Sequence, residues 1–144
     1  MLALILLAGC SGDVEINGDS ASATTLSAAC SDGSPVDTFV ADLSHVSDGG
    51  TYEVIMKDAS PAPPDVGINA FTLDIDGATG AVLRPWMPLH GHGTVPSTFT
   101  LTDNGDGTWS TGDMDLFMPG LWELELTLSG AAEEAATFRF CLEG

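Results

Sequence analysis

The sequence predicts one all-β domain, an antiparallel sandwich of about seven strands. Three observations lead there. From about Thr38 onward, short apolar runs alternate with polar residues, the period of a half-buried strand. Turn residues interrupt these runs roughly every 8 to 12 residues. Beyond the first ten residues no stretch keeps a helical period, and no internal repeat is visible.

The strands follow in order. Tyr52-Glu53-Val54-Ile55-Met56 and Phe71-Thr72-Leu73-Asp74-Ile75 are the first clear ones, joined through Pro61-Ala62-Pro63-Pro64, a rigid connector unsuited to a central strand. Asp76-Gly77 and Thr79-Gly80 turn the chain into Ala81 to Trp86. Ser97 to Thr102 reads as a strand with Phe99 and Leu101 on one face. Asn104-Gly105-Asp106-Gly107 marks a hairpin returning through Trp109 to Phe117. Leu121 to Leu128 alternates throughout, with Trp122, Leu124, Leu126 and Leu128 on the core side. Thr137 to Cys141 closes the domain, with Arg139 facing away from Phe138 and Phe140.

The chain has 144 residues, with 21 Asp and Glu against three Lys and Arg, a formal charge of −18. One domain fits that length. The charge excludes nucleic acid as a partner, because phosphates are repelled. The acidic residues are spread out and read as a solvated surface.

Residues 1 to 10 read Met-Leu-Ala-Leu-Ile-Leu-Leu-Ala-Gly-Cys. The run is too short to span a bilayer and fits a signal-peptide apolar region. Leu7-Ala8-Gly9-Cys10 resembles a bacterial lipobox, in which the Cys thiol is acylated and becomes the new N-terminus. The expectation is a lipoprotein signal over 1–9 and a lipid on Cys10. A tether follows over 10–34, rich in Ser, Ala, Gly, Asp and Thr, and the folded domain occupies 35–144. The chain would then be exported and held by lipid at the membrane, facing the periplasm or the cell surface. No Lys or Arg precedes Lys57, so the basic start of a signal is missing, and a start site further upstream is expected.

With Cys10 lipidated, Cys30 and Cys141 remain, one near each end of the domain. In an oxidising compartment a disulfide between them is expected, worth about 4 to 5 kcal/mol in the chain-entropy model. A metal-thiolate site is the functional alternative.

The segment with most chemistry is Trp86-Met87-Pro88-Leu89-His90-Gly91-His92-Gly93. His90 and His92 stand two apart, which in an extended backbone turns both rings to one side. Thioether with imidazole suits Cu(I), and imidazole alone also suits Cu(II) or Zn(II). Phe117-Met118-Pro119-Gly120, with Met114 upstream, could meet this segment at one edge of the sandwich. The structural alternative is that Met87 and Met118 fill the core and the histidines dock loops. His45 stands alone at a strand end and takes no role. Asp103-Asn104-Gly105-Asp106-Gly107 lacks the bidentate Glu of a calcium loop and reads as a plain hairpin. No serine-hydrolase elbow or phosphate-binding loop is present, and the chain does not read as an enzyme.

MPLHGHG, then GDGTW, then FMPGLWELELTL resembles the YtkA-like/FixH family, whose members carry MPxHGHG, GDGxY/W and MPGxWEL in that order. The resemblance runs from about Gly67 to Phe140, roughly half the chain. It implies an Ig-like β-sandwich outside the cytoplasmic membrane, in a family with links to oxidase assembly and copper handling. Met87, His90 and His92 fall on the first motif and Met118 on the third; Met114 has no such support. FixH proper has a membrane helix where this sequence offers a lipobox. The expected function is copper or similar soft-metal binding at Met87, His90, His92 and Met118, for delivery to a copper-accepting envelope protein or for sequestration. The alternative is an Ig-like interaction module of the envelope with no metal site.

Overall fold

The computed structural model describes residues 28–144. The signal segment, Cys10 and most of the expected tether lie outside the described residues. A 3-10 turn at Ala28–Cys30 leads in, and β-strands follow: β1 (Leu43–Val46), β2 (Glu53–Ser60), β3 (Gly67–Ile75), β4 (Gly80–Met87), β5 (His92–Gly93), β6 (Phe99–Thr100), β7 (Thr102–Asp103), β8 (Thr108–Ser110), β9 (Met114–Leu116), β10 (Gly120–Ser129) and β11 (Glu134–Leu142). Among the described residues no helix is long and apolar enough to cross a membrane.

The strands form two antiparallel sheets. One runs β1-β2-β3-β8-β7, with β9 also on β3; the other runs β11-β10-β4-β5, with β6 also on β4. The arrangement is an all-β sandwich, as the alternation predicts. The long strands fall where the sequence places them, and the short ones change the count. Ser97 to Thr102 is not one strand: β6 pairs with β4 in one sheet, β7 with β8 in the other, and the buried Leu101 lies at the crossing. Trp109 to Phe117 is likewise split. β8 and β9 both pair with β3, interrupted at Thr111-Gly112-Asp113.

Alternation builds the core. Trp122, Leu124, Leu126 and Leu128 of β10 are fully buried and face inward with Phe138 and Phe140 of β11, against Val54, Met56, Phe71, Leu73 and Ile75 of the opposite sheet. Each such side chain contributes about 1.5–3 kcal/mol on leaving water. The buried Asn69 is paired: it closes the proline connector by donating from Nδ2 to the carbonyls of Asp65 and Gly67.

Leu121 is fully buried on the outer face of β10, outside the main core. It sits opposite Cys141 in register, and the 28–30 turn packs on β10 there. Cys30 and Cys141 form the expected disulfide, with their Cα atoms 5.4 Å apart. Residues 28–34, expected as the end of a tether, are therefore fastened to the sandwich. Asp32 adds to the fastening, its Oδ2 accepting from Arg139 at 2.6 Å. Arg139 also pairs with Glu123, whose carboxyl burial pushes above its usual range while Arg139 pulls the other way. Asp37 holds the same strand, its Oδ2 accepting from the Arg139 backbone N–H at 2.8 Å. Its other oxygen meets His45 Nε2 at 2.9 Å, which gives His45 a structural place.

Candidate metal centre

β4 ends at Met87 and the chain reverses immediately. Pro88 fixes its own φ and donates no N–H, so it suits a turn. The backbone N–H groups of His90 and Gly91 both donate to the Met87 carbonyl, at 3.1 and 2.9 Å. Gly91 takes φ +70°, which favours glycine, and His92 then pairs with Met87 at the start of β5. The segment is thus a four-residue hairpin loop. The extended backbone expected for His90-Gly91-His92 does not form, because Pro88 and Gly91 bend it. His90 lies on the exposed loop and His92 on the strand, half-buried. Gly93 is required by close approach: a Cβ there would come 2.2 Å from the Pro85 carbonyl oxygen.

The two rings still converge, with centres 5.7 Å apart and planes tilted by 60°. Two imidazoles bound to one ion at about 2.0–2.1 Å place their centres about 5–6 Å apart. The separation of the ring centres is compatible with two ligands on one metal.

The second segment reaches the same place. Phe117 stacks on His92 at 5.8 Å between centres, with planes 14° apart. Phe117 in turn meets the buried Trp122 edge-on at 5.9 Å. The Trp122 indole N–H donates to the Met118 carbonyl at 2.9 Å, which fixes the turn. At Gly120, φ is +132°. The position a Cβ would take there lies 3.0 Å from the Met87 methyl carbon, 3.8 Å from His90 Nε2 and 3.4 Å from the Ala29 carbonyl oxygen. Three chain segments meet around this one glycine.

The predicted residues stand as follows. Met87, His90 and His92 are brought together. Met87 is fully buried and belongs to the core, with only its methyl end turned to Gly120. Met118 is half-buried and its side chain packs against the core. Met114, the unsupported methionine, is a core residue. Trp86 is half-buried under the Arg84 guanidinium, 4.8 Å from its ring centre, and Trp122 supports the site from within. Phe117, Gly120 and Ala29 were not assigned by sequence. The glycine of the MPG motif was the available signal for Gly120, while Ala29 carries none.

Among the described residues no three His, Cys, Asp or Glu side chains gather to hold a metal ion. This edge carries two imidazoles, with the methyl end of Met87 turned toward the same glycine as His90 Nε2; thioether with imidazole is a set that suits Cu(I). The hairpin at Asn104 to Gly107 spends its carboxylates on itself: Asp103 Oδ1 accepts from Gly105 N–H, and Asp106 Oδ1 from Thr108 N–H and Oγ1–H. Those Thr108 bonds hold the Asp106 carboxyl below its usual range.

A groove of about 520 Å³ lies apart from the histidines, walled by Pro61 to Pro64, Asp65, Cys141 and Glu143. In comparison with family models, curated proteins and solved structures, the chain matches none.

Proposed function

We propose that this chain is an exported envelope protein, anchored by lipid on Cys10, whose β-sandwich binds copper at the edge shared by the HGH loop and the MPG turn. Binding serves delivery to an envelope acceptor or sequestration. The observation that carries the reading is the approach of His90 Nε2 and the Met87 methyl end to Gly120, with the His92 ring centre 5.7 Å from that of His90. His90 and His92 supply imidazoles, and Met87 and Met118 supply thioethers. A soft thioether beside imidazole selects Cu(I). The exposed His90 leaves a path for an ion or an acceptor protein to reach the site. The three-motif resemblance to the YtkA-like/FixH family supports the same reading.

A second reading, an interaction module without metal, is favoured by one observation. Leu89 and Phe117 are exposed beside the histidines, and Val95, shortly after them, is 98% exposed. Such residues would suit a docking rim.

Copper competition binding separates the two. The full chain, held in detergent, is titrated with Cu(I) and Cu(II) beside the His90→Ala/His92→Ala double variant. Tight binding that the double variant loses supports the copper reading. Equal, weak binding by both overturns it and leaves the docking module. The variant should fold, because neither ring lies in the main core.

A further inference from the structure

We propose that the Cys30–Cys141 disulfide is a thiol-cleavable clasp on the His90 site, opened by a dithiol that attacks Cys141. The proposal rests on the copper reading for its consequence, while its structural half stands without metal.

The 28–30 turn is held against the outer face of β10 and β11 by this one covalent bond, and it covers Leu121. It places the Ala29 carbonyl oxygen 3.4 Å from the Gly120 Cβ position, on the spot that His90 Nε2 and the Met87 methyl approach. The turn is therefore a wall of the candidate metal centre, and its carbonyl is an oxygen donor within the same cluster. The next fastening along the chain is Asp32 on Arg139, followed by Asp37. Those polar contacts stay when the sulfur bond is cut, so the opening is confined to the turn.

The two sulfur-bearing residues differ in access. Cys30 is 1% exposed, whereas Cys141 is partly exposed and forms part of the proline-walled groove. An incoming thiolate can approach only the accessible partner. One thiolate of the dithiol bonds to Cys141 Sγ, the Cys30–Cys141 bond breaks, and Cys30 leaves as a thiolate that takes up a proton. The second thiol of the reductant then displaces Cys141 as its thiol. The protein is reduced by two electrons, and the dithiol ends as its own disulfide. Release of the turn removes the Ala29 wall and exposes Leu121, and the copper site loses affinity.

The test has a metal-free arm and a copper arm. In the first, NMR spectra of the full chain in detergent are recorded before and after dithiothreitol. Shifts at the His90 ring, Gly120 and Leu121, with Trp109 and Phe71 unchanged, support the clasp. No shift at Gly120 and His90, or collapse of the whole spectrum, overturns it, the latter because the bond would then be a staple of the entire fold. Brief exposure to glutathione should give a mixed disulfide on Cys141; an adduct on Cys30 overturns attack from the groove. In the second arm, Cys30→Ser/Cys141→Ser, which removes both clasp sulfurs and so leaves no clasp thiol to bind metal, should hold Cu(I) at least tenfold more weakly than the oxidised wild type. Equal affinity overturns the link to copper. If the oxidised wild type binds no copper, the proposed function falls, while the metal-free arm still decides the clasp.

Discussion

The Met87 methyl group lies 3.0 Å from the position that a Cβ on Gly120 would occupy. The two residues belong to strands of one sheet that end side by side, and the absence of a side chain at Gly120 lets the methionine and the His90 ring share the space. The backbone there has φ +132°, a conformation that L side chains rarely adopt. Gly120→Ala therefore meets both strain and crowding. It should cost about 1–3 kcal/mol in chemical denaturation. It should also lower Cu(I) affinity, because Met87 must move away from His90. Unchanged stability would show that Met87 can swing aside freely.

The core was legible in the sequence because burial on one face leaves a period of two, and β10 shows it best, with Trp122, Leu124, Leu126 and Leu128 inward. What crossed between sheets was not legible. Phe99 and Leu101 keep the same period whether the strand stays in one sheet or, as here, changes sheets at Leu101. Leu121 was an apolar residue on a polar face, and its partner lies far off in sequence at Cys30 and Cys141. The site shows the same division. Met87, His90 and His92 stand in one segment and could be read locally. Their meeting with Phe117 and Gly120 is set by the pairing of β4 with β10, which neither segment encodes alone.

Between β8 and β9, a side chain takes the place of a ladder contact. The Phe71 N–H donates to Thr111 Oγ1 at 2.9 Å, and the Thr111 N–H donates to the Phe71 carbonyl at 3.1 Å. Thr111 is 5% exposed, so water does not replace the hydroxyl easily. Thr111→Val keeps the shape and leaves the Phe71 N–H without its acceptor. A loss of about 1–3 kcal/mol is expected. Denaturant titration checks it, with Thr111→Ser as the variant that retains the acceptor and most of the stability.

Glu134 links the loop after β1 to β11. Its carboxylate accepts from Ser47 Oγ–H, from Thr51 Oγ1–H, and from the Thr51 N–H at 3.0 Å. These bonds, Ser47 first, hold its pKa below the ordinary 4.5. A carboxyl lowered in the folded state stabilises the fold above its unfolded pKa, and that contribution fades as pH falls through the folded value. Glu134→Gln should therefore be less stable than wild type near pH 7, with the gap narrowing below about pH 4.5. Denaturation midpoints across this range decide it. A gap that stays constant with pH would mean that the ionised form of Glu134 is not what the loop requires.

Every cation in the chain is engaged. Lys57 pairs with Asp42, Arg84 with Glu125 at 2.5 Å, and Arg139 with Asp32 and Glu123. With 21 acidic residues against three Lys and Arg, acidic charge is in large excess. Salt acts on both sets in opposite directions. It weakens the exposed pairs, which contribute little to stability, and it screens the repulsion across the whole surface. The screening length falls from about 30 Å at 0.01 M to about 3 Å at 1 M, so long-range repulsion is nearly removed over that interval. Repulsion involves many more charges than attraction does, and its removal should win. Thermal unfolding in sodium chloride should shift upward by about 1 kcal/mol, or roughly 3–5 °C, most of it below 0.2 M. A midpoint that falls with salt would show that the few ion pairs around Arg84 and Arg139 outweigh the excess acidity.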